Sequence, residues 1–182
     1  MKKIRHLNIL ILSSFLFALA SVQAAHHESN VSNPTIDLGC LVSNVEDSVA
    51  FYTEALGFKV AGSFSVAGDY AKDVGLTEGS GLDVTVLSLG EGVGATKLKL
   101  MSTGNSAPVA NQHINTSLGF SYITIFVDSM DKALARLEKA GVKTVAKSPL
   151  ALPENLDPSM ALTLVRDPDG NIVELVGPKP TK

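Results

Sequence analysis

The sequence predicts an α+β fold of two tandem β-α-β-β-β modules, curved mixed sheets with their helices outside. The first observation behind this is the stretch from Asp37 to Phe58, which reads as a short strand, a capped helix and a Leu-Gly exit into a second strand. The second is its return between Tyr122 and Gly141, where Val127 echoes Val42, Met130 echoes Val45, Leu134 echoes Val49 and Ala135 repeats Ala50. The third is the spacing of Gly- and Pro-containing turn signals, which cut the rest of each copy into strand-length runs.

In the first copy, Leu38, Cys40 and Val42 alternate with Asp37, Gly39 and Leu41, the period of two that sends successive side chains to opposite faces. Ser43 followed by Glu46 has capping-box spacing, and Val45, Val49, Tyr52 and Leu56 then recur at helical intervals up to Gly57, which suits a left-handed helix end. Lys59 to Val66 reads as the second strand, Asp69 to Val74 as a helical turn and Thr77 to Gly81 as a Gly-rich loop. Leu82 to Leu89 and Ala95 to Met101 form two more strands around Gly90-Glu-Gly-Val-Gly94.

Residues 102–118 are polar and read as a linker. The second copy gives a strand over Phe120 to Val127 and a helix over Ser129 to Ala140 with Met130, Leu134 and Leu137 on its apolar face. A short strand over Lys143 to Ala146 precedes a Pro-rich excursion from Ser148 to Pro158. Ala161 to Arg166 and Asn171 to Val176 complete it as a hairpin around Asp167-Pro-Asp-Gly170, a strong turn signal. Module one is thus 36–101 and module two 119–178.

The first 24 of the 182 residues carry Lys2, Lys3 and Arg5 ahead of a short apolar run from Ile9 to Ala20, with Val22-Gln23-Ala24 at the cleavage positions. This is the pattern of a secretory signal, too short for a comfortable membrane span, so the expected location is periplasmic with no membrane anchor after cleavage. Residues 25–35 read as a polar lead-in. Three of the 15 basic residues and none of the 18 acidic ones lie in the signal, which leaves a mature chain of net charge −6. With acidic and basic residues interspersed, that balance argues against binding nucleic acid. Cys40 is the one cysteine, so no intramolecular disulfide forms; on the core face with Leu38 and Val42 it reads as an inert thiol.

Val42-Ser-Asn-Val-Glu-Asp-Ser-Val-Ala-Phe-Tyr52 with Leu56-Gly-Phe58, Val127-Asp-Ser-Met-Asp-Lys-Ala-Leu-Ala-Arg-Leu137 with Ala140-Gly141, and Arg166-Asp-Pro-Asp-Gly-Asn-Ile-Val-Glu-Leu175 resemble the vicinal oxygen chelate superfamily. That group contains glyoxalase I, extradiol dioxygenases and the bleomycin- and fosfomycin-resistance proteins, and the resemblance covers nearly all of residues 36–178. It implies paired modules enclosing a cavity, a divalent metal in the enzymes of the group, and frequent homodimers.

The usual metal ligands of the family, one on each module's first strand and one on each last strand, map by resemblance onto Asp37, Lys99, Tyr122 and Glu174, of which Glu174 alone keeps a familiar ligand type. Divalent iron, nickel, zinc or manganese wants imidazole or carboxylate donors. None of His6, His26, His27 and His113 falls on a predicted cavity strand, and an ammonium at Lys99 repels a cation and neutralises a carboxylate. No cofactor is therefore expected, with a metal held by Glu174 and Asp37 as the alternative.

Several roles remain open for these residues. Lys99 either pairs with Glu174 or Asp37 to hold the cavity wall, or joins Tyr122 as a hydrogen-bond donor to an anionic or carbonyl-bearing small ligand. Glu174 or Asp37 is the candidate base, and Glu174 with Tyr122 the candidate catalytic pair, for a metal-free reaction. Thr124 and Phe126 share the predicted face of Tyr122. The leading expectation is a small-molecule binding protein, and the rival is a lyase, isomerase or dioxygenase-like enzyme. Weaker signals are Ala25-His26-His27, a terminal copper or nickel pattern if cleavage follows Ala24, and sequons at Asn30 and Asn115, read as polar loop residues.

Overall fold

Strand β1 (Asp37–Leu41) opens the first module in the computed structural model, which describes residues 35–104, 113–114 and 119–181. The signal segment, nearly all of the lead-in with its two histidines, both sequons and most of the linker lie outside the described residues.

Helix α1 (Val45–Ala50) follows β1 and continues as a π-helical turn over Phe51–Ala55. Its cap differs from expectation. Asn44, not Ser43, takes the N-cap, its side chain accepting from Asp47 N at 3.2 Å, while the Ser43 amide donates to the Asp169 carboxylate at 3.1 Å. Ser129 occupies the equivalent position in the repeat and accepts from Lys132 N at the head of α3 (Met130–Lys139). Both copies thus satisfy the same first-turn amide. Gly57 ends the helical segment at φ +86°, a conformation that costs glycine little.

Strand β2 (Lys59–Val66), helix α2 (Gly68–Asp73), β3 (Leu82–Leu89) and β4 (Thr96–Ser102) complete module one in the order β1-β4-β3-β2. Module two repeats it with β5 (Tyr122–Phe126), β6 (Leu150–Ala151), β7 (Met160–Arg166) and β8 (Ile172–Pro178), ordered β5-β8-β7-β6. In each sheet the first strand runs parallel to the last and all other pairs are antiparallel. The first strand is therefore an edge in both.

The strand expected at Lys143–Ala146 is reduced to a single bridge between Thr144 and Val165. Ala146 sits at φ +52° and Pro149 has no amide to donate, so the ladder stops there and resumes at Leu150–Ala151, inside the stretch read as a Pro-rich excursion.

One face of each sheet is covered by helix and the other is open. Leu98 and Leu100 of β4 and Val173 and Leu175 of β8 point into a core shared by both modules, joined there by Tyr52, Leu56 and Leu137 from the helical segments. Burial of each such side chain contributes about 1.5–3 kcal/mol. The α3 helix also packs directly against the π-helical turn of module one.

A polar contact ties the modules together at the β7–β8 turn. Asp167, 5% exposed, accepts from Tyr52 OH at 3.0 Å, from Asn171 N and Nδ2 at 2.8 Å each, and from Asp169 N at 3.1 Å. Burial, followed by the field of Asp167, pushes the Tyr52 hydroxyl far above its ordinary range, so it stays a proton donor. We predict that Tyr52→Phe costs about 1.5–3 kcal/mol, the range for a hydrogen bond to a charged group. Asp167→Ala should cost more, because it also strands the Asn171 and Asp169 amides. Urea unfolding of both variants checks this, and near-zero losses in both would refute the tie.

Candidate functional site

The residues singled out in sequence fall on the open faces. On the first sheet, Asp37, Gly39 and Leu41 stand beside Lys97, Lys99 and Met101. Lys99 Nζ reaches diagonally to Asp37 Oδ2 at 2.9 Å, both side chains more than a third exposed. The absence of a side chain at Gly39 makes room for this face to pack, since a Cβ there would lie 3.1 Å from Met101 Cε.

On the second sheet Thr124 takes the place of Gly39 and Glu174 that of Lys99. Thr124 Oγ1 donates to Glu174 Oε1 at 2.8 Å. Leu164 flanks Glu174 on its other side in the ladder, and Leu162 flanks Val176. Tyr122 and Phe126, 52% and 77% exposed, border this face on β5. Of the two pairings left open for Lys99, the structure makes the one with Asp37.

Three of the four positions are thus partnered within their own modules, Asp37 and Lys99 by each other and Glu174 by Thr124. Among the described residues, no group of three or more His, Cys, Asp and Glu side chains is placed to hold a metal ion. His113 is described and exposed, in a loop outside the strands.

Where β1 and β5 approach as sheet edges, a cleft of about 200 Å³ opens between them. Leu38, Leu98, Ile123 and Ile172 make its walls apolar, with Tyr122 at the rim and Cys40, Tyr52 and Asn171 at its polar end. Asn171 Nδ2 lies 3.8 Å from Cys40 Sγ. Of the residues assigned to a cavity in sequence, Tyr122 alone lines this cleft. Tyr52 and Asn171 were missed, since a tyrosine in an apolar helix stripe reads as packing and an asparagine after Asp-Gly reads as turn. The signal that could have found them is the shared need of Tyr52 and Asp167 for a buried polar partner.

With fold and site in hand, comparison with known proteins assigns the class. The family model described as Glyoxalase/Bleomycin resistance protein/Dioxygenase superfamily matches residues 37–175, and the chain belongs to that superfamily. A glyoxalase family protein from Bacillus cereus superimposes with a TM-score of 0.64 at 18% identity, over 85% of this chain and 99% of its own. The trypanothione-dependent glyoxalase I of Leishmania major does so at 0.51 and 21% identity, over 80% of this chain and 87% of its own. A glyoxalase/bleomycin resistance protein/dioxygenase domain from Frankia sp. gives 0.51 and 20% identity, over 85% and 95%. No curated protein matches the chain. At these identities the likeness carries the fold and leaves chemistry to the residues.

Cys40 is half-buried, packed against the core and at the end of the cleft. Burial first, then the fields of Asp167 and Asp169, push it from 9.0 up to about 11. Because the thiolate is the nucleophile, we predict that Cys40 in the folded chain reacts with iodoacetamide at pH 8 about a hundredfold more slowly than in the unfolded chain. Alkylation followed by mass spectrometry measures this, and equal rates would contradict the assignment. Asp169→Asn should speed the folded-state reaction, because it removes one charge that disfavours the thiolate.

Proposed function

We propose that this chain is a small-molecule binding protein of the glyoxalase-like superfamily, exported to the periplasm, whose ligand is held by side chains rather than by a divalent metal. The observation that carries the reading is the Lys99–Asp37 ion pair at 2.9 Å, standing where the family resemblance expects metal ligands. An ammonium bonded to a carboxylate competes with a cation for that carboxylate and repels it, so this donor set does not fit iron, nickel, zinc or manganese. Glu174, the ligand-type residue of the second module, has a threonine hydroxyl as its partner and an apolar neighbour in Leu164.

The same groups suit an organic ligand. Lys99, Thr124 and Tyr122 supply donors, Glu174 and Asp37 supply acceptors, and the exposed Tyr122, Phe126 and Leu41 supply apolar and aromatic surface beside them. A few polar groups set among apolar ones are what a small-molecule site requires. Exposed aromatic side chains grouped on one face also mark surface kept for an interaction.

The rival reading, an enzyme of lyase, isomerase or dioxygenase-like type, rests on Glu174 as a base, a half-buried carboxylate on the open face with Thr124 as its hydrogen-bond partner. One experiment separates them. Native mass spectrometry of the chain purified from its own periplasm should detect a bound small molecule, and that molecule added back should raise the melting temperature. Lys99→Met and Glu174→Gln should each weaken its binding about tenfold or more, with the fold kept. Turnover of that molecule, lost in Glu174→Gln while binding persists, would replace the binding reading with the enzymatic one. Unchanged binding in both variants would remove the open faces from the site.

A further inference from the structure

A different cleft, on the helix-covered side of the molecule, has the make-up of a ligand site and contains none of the groups the family resemblance singles out as metal positions. It has a volume of about 300 Å³ and lies between the helical exit of module one and the β5–α3 corner of module two. That volume is at the lower end of the range of about 300–1,000 Å³ that small-molecule sites occupy. Its floor is apolar, made by Ala55, Leu56, Leu89, Ile125 and Leu175, four of them buried core residues. Phe126, at the end of β5 where the open face stops, also lines its edge.

The mouth is cationic. Lys132 and Arg136 both line it, and Arg136 continues with Lys139 into an adjoining groove of about 660 Å³. The three residues recur at helical spacing on α3 and so share one face. None of them makes an ion pair among the described residues. The carboxylates nearby are Asp128 at the cleft and Glu54 at the groove, so cations outnumber them locally in a chain of net charge −3.

Arg136 is also given its place by the other module. Its guanidinium lies against Gly57, where any Cβ would collide with Nη1. Gly57 is thus needed twice, for its φ of +86° and for the room it leaves to the arginine. A guanidinium held over an apolar floor, beside a lysine and with no carboxylate partner, presents fork-shaped donors to an incoming anion.

We infer that this cleft binds an amphipathic organic anion, a small carboxylate whose apolar body enters between Leu56, Leu89 and Ile125 while its head meets Arg136 and Lys132. The apolar floor excludes a bare inorganic anion as the best occupant, and the unpaired cations exclude a neutral hydrocarbon.

Calorimetric titration of the full chain with sodium octanoate, beside octanol as the neutral counterpart, tests this. Octanoate should bind in a saturable fashion with one molecule per chain, at least about tenfold more tightly than octanol, and more weakly as salt is raised. Arg136→Gln and Lys132→Gln should each weaken octanoate about tenfold, and Lys72→Gln, on α2, should leave it unchanged. Equal affinity for octanol, no saturable binding up to millimolar octanoate, or indifference to Arg136→Gln would each overturn the assignment. Loss of binding in Lys99→Gln with Arg136→Gln unaffected would also overturn it, by placing the anion on the open face. That outcome would leave the reading of the open faces as a ligand site intact, so the two proposals fail separately.

Discussion

The polar tie between the two modules centres on one buried carboxylate. Asp167 accepts four hydrogen bonds, three from its own turn and one from Tyr52 of the other module, and so satisfies its lone pairs without solvent. A charge buried to this degree is tolerated because every partner is present. The neighbouring Asp169 adds a second tie through the Ser43 amide, which fixes the turn at the end of β1. Strands β1 and β5 line the two sides of one cleft near this tie.

Duplication gives the molecule two copies of one scaffold and lets their chemistry diverge. The sheet orders, strand directions and cap positions are the same in both. The charged groups are not. Where module one carries Lys99 with its own counter-ion, module two carries Glu174 with a hydroxyl. Backbone geometry is set by periodicity and turns, which selection on a ligand leaves alone, whereas exposed side chains on the open faces are free to change sign. The two modules therefore keep one scaffold while their open faces carry different side chains.

Much of the fold was legible because it rests on local patterns. The alternation in Leu38-Gly-Cys-Leu-Val42, the helical stripe of Met130, Leu134 and Leu137, and the Asp-Pro-Asp-Gly turn each specify an element by spacing alone, and β2 and β3 were bounded to the residue. The edge of the second sheet was not, because the two residues of β6 are too short to show a period and lie among prolines. The cap at Asn44 was missed because Ser43 and Asn44 are both good caps, and the choice falls to Asp169, far away in sequence. Lys99 was given Asp37 as one of two partners, and that pair forms. The clefts themselves were invisible, since they arise from how one module meets the other and no local spacing encodes that.

The claim that side chains and not a metal hold the ligand rests on Lys99 occupying a ligand position beside Asp37. The most direct test is the metal content of the purified chain, with His26 and His27 replaced by alanine to remove the terminal histidines, after exposure to iron, nickel, zinc and manganese and exchange into metal-free buffer. We predict metal far below one ion per chain, with the same melting temperature in the presence and absence of chelator. One tightly held ion per chain that disappears in Glu174→Ala would contradict the claim and restore the chelate site of the superfamily.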